Sequence, residues 1–461
     1  MSAVEVDLVV IGTGPGGEAL ATGAAKAGLE VVAVDKHLVG GECPYYGCIP
    51  TKMMVRGSDA IAEVRRMPQV AGEATATPAW SVVHRRIDED ATTHWDDTIA
   101  VDRLKAAGAI VHHGVGRLAG PRQVAVETAD GETVTYTARR GVVVNPGTRP
   151  AVPPVDGLAD TPYWTNRDAV RLAELPGSLV VVGGGPIGCE MAQVFARFGV
   201  RVTVVQHGPR LVPANEPEAA ALLQQVFESE GIRVLTGVEL TQASYADGQF
   251  ALTLDSDDGG YALTADKVLV AAGRTPNLDD LGLETVGLDP TACTLETDER
   301  LRVQDGLWAI GDVTGKGAFT HVSMYQSAVA LRDITGEEGA PARYHAVPHA
   351  TFTDPEIGGV GMTEQQARDA GLTVRTGFTR LEESSRGFTH GPGGHGLIKV
   401  VEDADRGVLV GATAMGPAGG EILGFLAVAV HAEVPVETLR TMIYAYPTFH
   451  RAIESALADL G

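Results

Sequence analysis

Apolar positions along the chain group into short continuous runs, each closed by glycine or by an acidic residue. VDLVVIG (6–12) is such a run, and it predicts a parallel strand covered on both faces. A glycine-rich turn follows, then the helix-like EALATGAAKAGL, then a second strand EVVAVD (30–35) that ends in an acid. Together they predict one βαβ unit. The pattern returns at SLVVVGGGPIGCEMAQVFARFGVRVTVVQ (178–206), so two such units are expected in separate domains. Between them lie a helix-like stretch (51–66), a polar helical stretch (79–107) and short strands that lead to VVVNPGTRP (142–150). AVPPVDG (151–157) reads as a linker. Beyond the second unit, KVLVAAGRTPN (267–277) and GLWAIGDV (306–313) read as buried strands. From about 343, HATFTDPEIGGVGM, HGLIKVV and GVLVGATAMG predict a mostly antiparallel sheet flanked by helices at 419–432 and 448–458.

The expected fold class is α/β: two Rossmann-like dinucleotide-binding domains and a C-terminal α+β domain. The boundaries read as 1–150 and 271–342 for the first domain in two parts, 151–270 for the second, and 343–461 for the third. A chain of 461 residues suits this division. The formal net charge of -23 argues against a nucleic-acid partner, which would require a basic face. No apolar run is long enough for a membrane span, and the opening residues lack the charged region of a signal peptide. A cytoplasmic location is the default expectation, and with four cysteines a structural disulfide framework is not expected.

Three segments carry candidate chemistry. Gly12, Gly14 and Gly17 stand between the first strand and helix, with Asp35 ending the next strand. Glycines there let the backbone approach a pyrophosphate at the helix N-terminus, and an acid at the strand end can accept from a ribose diol. Gly183, Gly185 and Gly188 repeat the device, but Gln206 takes the place of the acid, with His207 and Arg210 close behind. An uncharged strand end beside cationic groups favours NADPH over NADH; the alternative is that His207 and Arg210 belong to a solvated loop. The third segment, GGECPYYGCIPTK (40–52), separates Cys43 from Cys48 by four residues and sets Cys48 near a helix start, where the dipole favours a thiolate. Half of a metal site and an inert reduced pair are the competing readings, and no further Cys or His ligand sits nearby at suitable spacing.

These segments resemble the class I flavoprotein disulfide reductases from end to end. The likeness runs through the first GxGxxG, the CxxxxC segment with its IPTK tail and NPGTRP as a variant of ATGSxP. It continues through the second GxGxxG with Glu190, AAGRTPN, AIGD and DPEIGGVG. The resemblance implies a homodimer carrying FAD, with Asp35 on the adenosine ribose, Asp312 on the ribityl chain, and Gly12, Gly14, Gly17, Gly147 and Gly311 closing on the cofactor. Gly183, Gly185, Gly188 and Gly273 would serve NAD(P). Lys52 would lie by the flavin and pair with Glu190. Cys48 would face the flavin and Cys43 would face a small-molecule electron acceptor. Cys189 reads as a core residue.

The chain departs from the family at its end. Where most members carry HPTxSE, donated by the partner subunit, this chain reads Tyr446-Pro447-Thr448-Phe449-His450-Arg451. Tyr446 replaces the acid/base His and Arg451 replaces its Glu. A free phenol titrates near ~10 and makes a poor base at neutral pH, whereas a cation would stabilise a thiolate directly. His450 and Glu454 stand four apart, so either a displaced dyad or a solvated pair is open. The resemblance therefore implies an NAD(P)H-dependent disulfide reductase with ordinary disulfides as poor substrates. A transhydrogenase, or a quinone or metal-ion reductase working directly from the flavin, is one rival. A docking subunit of a larger complex is the other.

Overall fold

The computed structural model describes residues 4–256 and 259–460. The chain divides into two compact units, each built from three segments.

The first unit comprises Met1–Pro50, Arg85–Pro150 and Arg274–Tyr344. Its sheet is centred on Val4–Ile11, which pairs in parallel with Val31–Asp35 on one side and with Thr133–Val144 on the other. Alternation along these buried strands feeds two cores. Leu8, Val10, Val31 and Ala33 face the helix Pro15–Lys26 through Leu20, Ala21 and Ala24, whereas Val9, Ile11, Val32 and Val34 face Leu118, Val124 and Leu281. This two-sided burial is why the strands read as unbroken apolar runs. The late segment Leu307–Ala309 returns to pair in parallel with Thr133–Val144, so residues 300 positions apart share one sheet. Helix Thr320–Thr335 passes so close to helix Pro15–Lys26 that a Cβ on Gly16 would lie 1.9 Å from Ser323 Oγ.

The second unit comprises Thr51–His84, Ala151–Gly273 and His345–Gly461. Lys267–Val270, Ser178–Val182, Arg201–Gln206 and Arg233–Thr236 form a parallel sheet in that order. Five further strands, from Pro348–Thr351 to Val408–Gly416, form an antiparallel sheet. It packs on helices Gly419–His431 and Ala452–Ala458 through Val360, Ile398, Leu426 and Ile453.

Some elements differ from the sequence pattern. The helix expected over 51–66 runs Cys48–Val70 and so begins at the second cysteine. The stretch 79–107 breaks into Trp80–Arg85, a π-helical turn Arg86–Ala91 and Thr98–Ala106, with Thr93, His94 and Trp95 at positive φ between the last two. The final helix starts at Ala452, not 448.

Candidate active site

The two glycine loops are built alike. Gly12 has φ +90°, and a Cβ there would lie 2.1 Å from Asn145 O; at Gly17 it would lie 2.0 Å from Gly12 O. Gly183 has φ +111° and would collide with Ala271 O at 2.3 Å, and Gly188 with Gly183 O at 2.0 Å. In each loop the outer glycines are therefore required by backbone packing. The middle ones, Gly14 and Gly185, face open space: Gly14 would meet nothing nearer than 3.5 Å and Gly185 nothing within 4 Å. The helices that follow, Pro15–Lys26 and Pro186–Arg197, have no side-chain cap at the N-terminus. Their first N–H groups remain available to a pyrophosphate lying over the open glycine. Each loop thus fits a dinucleotide.

Around the first loop, Asp35 is held by three donors. Thr13 N and Thr13 Oγ1 each reach Oδ2 at 2.7 Å, and His37 N reaches Oδ1 at 2.8 Å. A carboxylate has about four acceptor positions, so one remains for a ribose hydroxyl. Asp312 follows Gly311, whose φ is +78° and whose N–H donates to Gln326 Oε1 at 2.6 Å. Asp312 Oδ2 accepts from Thr148 Oγ1 at 2.6 Å. Gly147 has φ +66° with nothing near its missing Cβ. These groups fit FAD.

Around the second loop, Gln206 is turned inward: its Oε1 accepts from Gly184 N–H at 2.8 Å. It caps the loop from the inside. His207 is exposed. Arg210 donates to Pro213 O at 3.0 Å and keeps a buried Nε without a partner. Gly273 has φ +125°. Cys189 is fully buried, donates to Gly184 O at 3.3 Å and has its thiol pushed up by burial, as suits an inert core residue.

Cys43 sits in the short helix Glu42–Tyr45, and Cys48 is the first residue of Cys48–Val70. Both are free thiols. The hydrogen bond from Cys43 to Cys48, joined by burial, raises the Cys43 thiol well above its ordinary value. Thr320, at the start of its own helix, places Oγ1 3.5 Å from Cys48 Sγ and also hydrogen-bonds Cys43. Nothing in the sequence marked Thr320, which lies 272 residues from Cys48.

One turn after Cys48 on the same helix, Lys52 meets the buried Glu190: Nζ lies 2.7 Å from Oε2. Glu190 Oε1 accepts from Phe352 N–H at 2.9 Å. At the chain's end, the Arg451 guanidinium lies 5.3 Å from the Tyr446 ring centroid and 3.0 Å from Glu454 Oε2. Arg451 and Glu454 thus form an exposed pair one helical turn apart. His450 forms neither of its two anticipated arrangements; its ring packs beside Phe425 and Tyr444. Among the described residues no helix is long and apolar enough to cross a membrane, and no group of His, Cys, Asp and Glu is placed to hold a metal ion.

Residues 6–329 match the family described as pyridine nucleotide-disulphide oxidoreductase, and residues 347–457 match the dimerisation domain of that family. Dihydrolipoyl dehydrogenase of Halobacterium salinarum is 35% identical over 99% of this chain and 96% of its own. That of Thermus scotoductus is 32% identical over 98% and 97%. Among solved structures, LpdA from Mycobacterium tuberculosis superposes with a TM-score of 0.86 at 27% identity, covering 99% and 100% of the two chains. A Cu(II) complex of the HOCl-induced flavoprotein disulfide reductase RclA from Escherichia coli superposes with a TM-score of 0.85 at 25% identity, covering 99% of each.

Proposed function

This chain belongs to the pyridine nucleotide-disulphide oxidoreductase family, whose members use FAD and NAD(P)H, and from that membership we propose that Cys43 and Cys48 form its redox centre, supplied by NADPH and delivering electrons to a small oxidised acceptor. The observation that carries this reading is the contact between the two thiols, with Cys48 on a helix N-terminus and beside the Thr320 hydroxyl. FAD, when bound, supplies the two-electron relay between nicotinamide and cysteine pair. Gly12, Gly14, Gly17, Gly147, Gly311, Asp35 and Asp312 would hold it, and Lys52, its charge fixed by Glu190, would favour the reduced form.

Within the pair, the helix dipole and the Thr320 hydroxyl stabilise a thiolate on Cys48. Cys43 keeps its proton and, on losing it to solvent, attacks a disulfide acceptor: a mixed disulfide forms as the acceptor's S–S bond breaks and one thiolate leaves, and Cys48 then displaces the second thiolate to restore the Cys43–Cys48 disulfide. With tyrosine where the family carries its histidine base, proton loss from Cys43 is eased by the Thr320 hydroxyl and by no imidazole. Lipoamide and glutathione disulfide are therefore proposed to be poor substrates; brisk turnover of either with NADPH or NADH would overturn this. The redox assignment is tested by anaerobic titration, with uptake of about four electrons per subunit, two for flavin and two for the disulfide, and a thiolate-to-flavin absorption. Cys48→Ser should abolish that absorption and Cys43→Ser should keep it; the reverse pattern would sink the assignment.

Arg210, with an unpartnered Nε, and the uncharged Gln206 support NADPH over NADH. The match to a dimerisation domain supports a homodimer, and we extend this to a site completed by the partner's last segment. The division into FAD, NAD(P) and interface domains at 150, 270 and 342, and a cytoplasmic location, belong to the same proposal. A second reading, direct reduction of a metal ion by the flavin, is favoured by the likeness to a protein solved as a Cu(II) complex. Steady-state activity that survives Cys43→Ser would select it.

A further inference from the structure

The Lys52–Glu190 pair is braced by a third segment that the proposed function does not use. Residues Phe352–Asp354 run along the helix Pro186–Arg197 and are fastened to it at three levels. Phe352 N–H donates to Glu190 Oε1 at 2.9 Å. Asp354 N–H donates to Gln193 Oε1 at 2.7 Å, and Gln193 Nε2 donates back to Asp354 O at 2.8 Å. Asp354 Oδ2 accepts from Arg197 at 2.7 Å and from Arg66 at 2.6 Å. Glu190, Gln193 and Arg197 stand at i, i+3 and i+7, one face of the helix, so the three levels act in line. The backbone of Phe352 has little freedom left.

That fixed backbone aims an aromatic ring at the lysine. Lys52 Nζ lies 4.5 Å from the Phe352 ring centroid, inside the ~6 Å range in which a ring face attracts an ammonium. Lys52 is 35% exposed, so a side chain tied only at Glu190 Oε2 could swing its ammonium about that oxygen into water. The ring adds a contact beyond Glu190 and the longer one to Thr51 Oγ1 at 3.4 Å. Phe352 therefore contacts both members of the pair: its N–H orients the carboxylate and its ring orients the ammonium.

We infer that Phe352 is a positioning residue that holds the Lys52 charge in place and thereby sets how strongly that charge favours the reduced cofactor. This rests on the proposed action of Lys52 on FAD. The test uses the flavin-loaded enzyme and its Phe352→Leu, Phe352→Met, Phe352→Tyr and Lys52→Met variants. The readouts are the flavin midpoint potential, the rate of flavin reduction at saturating NADPH, and the apparent Kd of NADPH. Phe352→Leu and Phe352→Met should shift the equilibrium toward oxidised flavin about three- to tenfold, about 15–30 mV for a two-electron couple. They should slow reduction by a similar factor and leave the apparent Kd unchanged. Phe352→Tyr, which keeps a ring, should match wild type, and Lys52→Met should shift the potential at least as far as the ringless variants. A shift in Lys52→Met with none in the ringless variants would overturn the inference and leave the role of Lys52 standing. Equal shifts in Phe352→Leu and Phe352→Tyr would also overturn it, since the ring would then act only by packing. No shift in Lys52→Met would remove the role of Lys52 and this inference with it.

Discussion

Replacing Glu190 by Gln alters the chemistry of one atom and almost no volume. Both carboxylate oxygens are committed, Oε1 to Phe352 N–H at 2.9 Å and Oε2 to Lys52 Nζ at 2.7 Å, and the side chain is 5% exposed. Glutamine offers one acceptor and one NH2 group. Whichever way it turns, the NH2 must face either the Phe352 N–H or the ammonium, donor against donor. Losing a hydrogen bond to a charged group costs ~1.5–3 kcal/mol, and stranding one partner of a fully buried pair ~3–5 kcal/mol. Lys52 is only partly buried, so water recovers part of its solvation, and it keeps the Phe352 ring and Thr51 Oγ1. The expected cost is therefore about 1–2 kcal/mol. It should appear as faster native-state hydrogen exchange of the amides in helix Pro186–Arg197, roughly five- to thirtyfold. In a Lys52→Met background the glutamine can give its oxygen to Phe352 N–H with no ammonium opposite, and the same substitution should cost under ~0.5 kcal/mol. Protection in Glu190→Gln equal to wild type, or an equal loss in both backgrounds, would refute the reasoning.

Arg197 is 2% exposed and donates to Glu230, Asp59 and Asp354; Asp354 keeps Arg66 and Asp59 is partly solvated, so Arg197→Met should destabilise the protein by ~2–3 kcal/mol, mainly at Glu230; thermal unfolding reads this, and an unchanged Tm would contradict it. Burial pushes Asp59 up to about 6, above the ~3.9 of a free carboxyl. The folded state therefore binds this proton more tightly, and the stability Asp59 contributes is full below ~4 and lost as pH rises through about 6. Asp59→Asn should flatten the profile of Tm against pH in that window, and a wild-type profile that rises more steeply there than the variant's would refute the sign. Gly17→Ala would place a methyl 2.0 Å from Gly12 O, so the purified variant should carry little or no flavin by its visible absorbance; full flavin content would contradict the tight-loop reading.

Chain patterning alone determined the parallel strands, both glycine loops and the cysteine spacing. Each is encoded within a few neighbouring residues: two-sided burial dictates an unbroken apolar run, and the outer glycines are dictated by backbone that passes within a bond length or two of where a Cβ would be. The cysteine pair was legible for the same reason, since a turn and a helix start are local events. Partners brought from far along the chain were not. Thr320 reaches Cys48, and Phe352 and Asp354 brace Glu190 and Arg197, through packing that no periodicity announces. Gln206 shows the limit at a single position: its type was readable, but only the folded loop turned its amide inward to Gly184. Sequence specifies which groups are available; side-chain direction and the competition among nearby partners are settled only when distant segments pack.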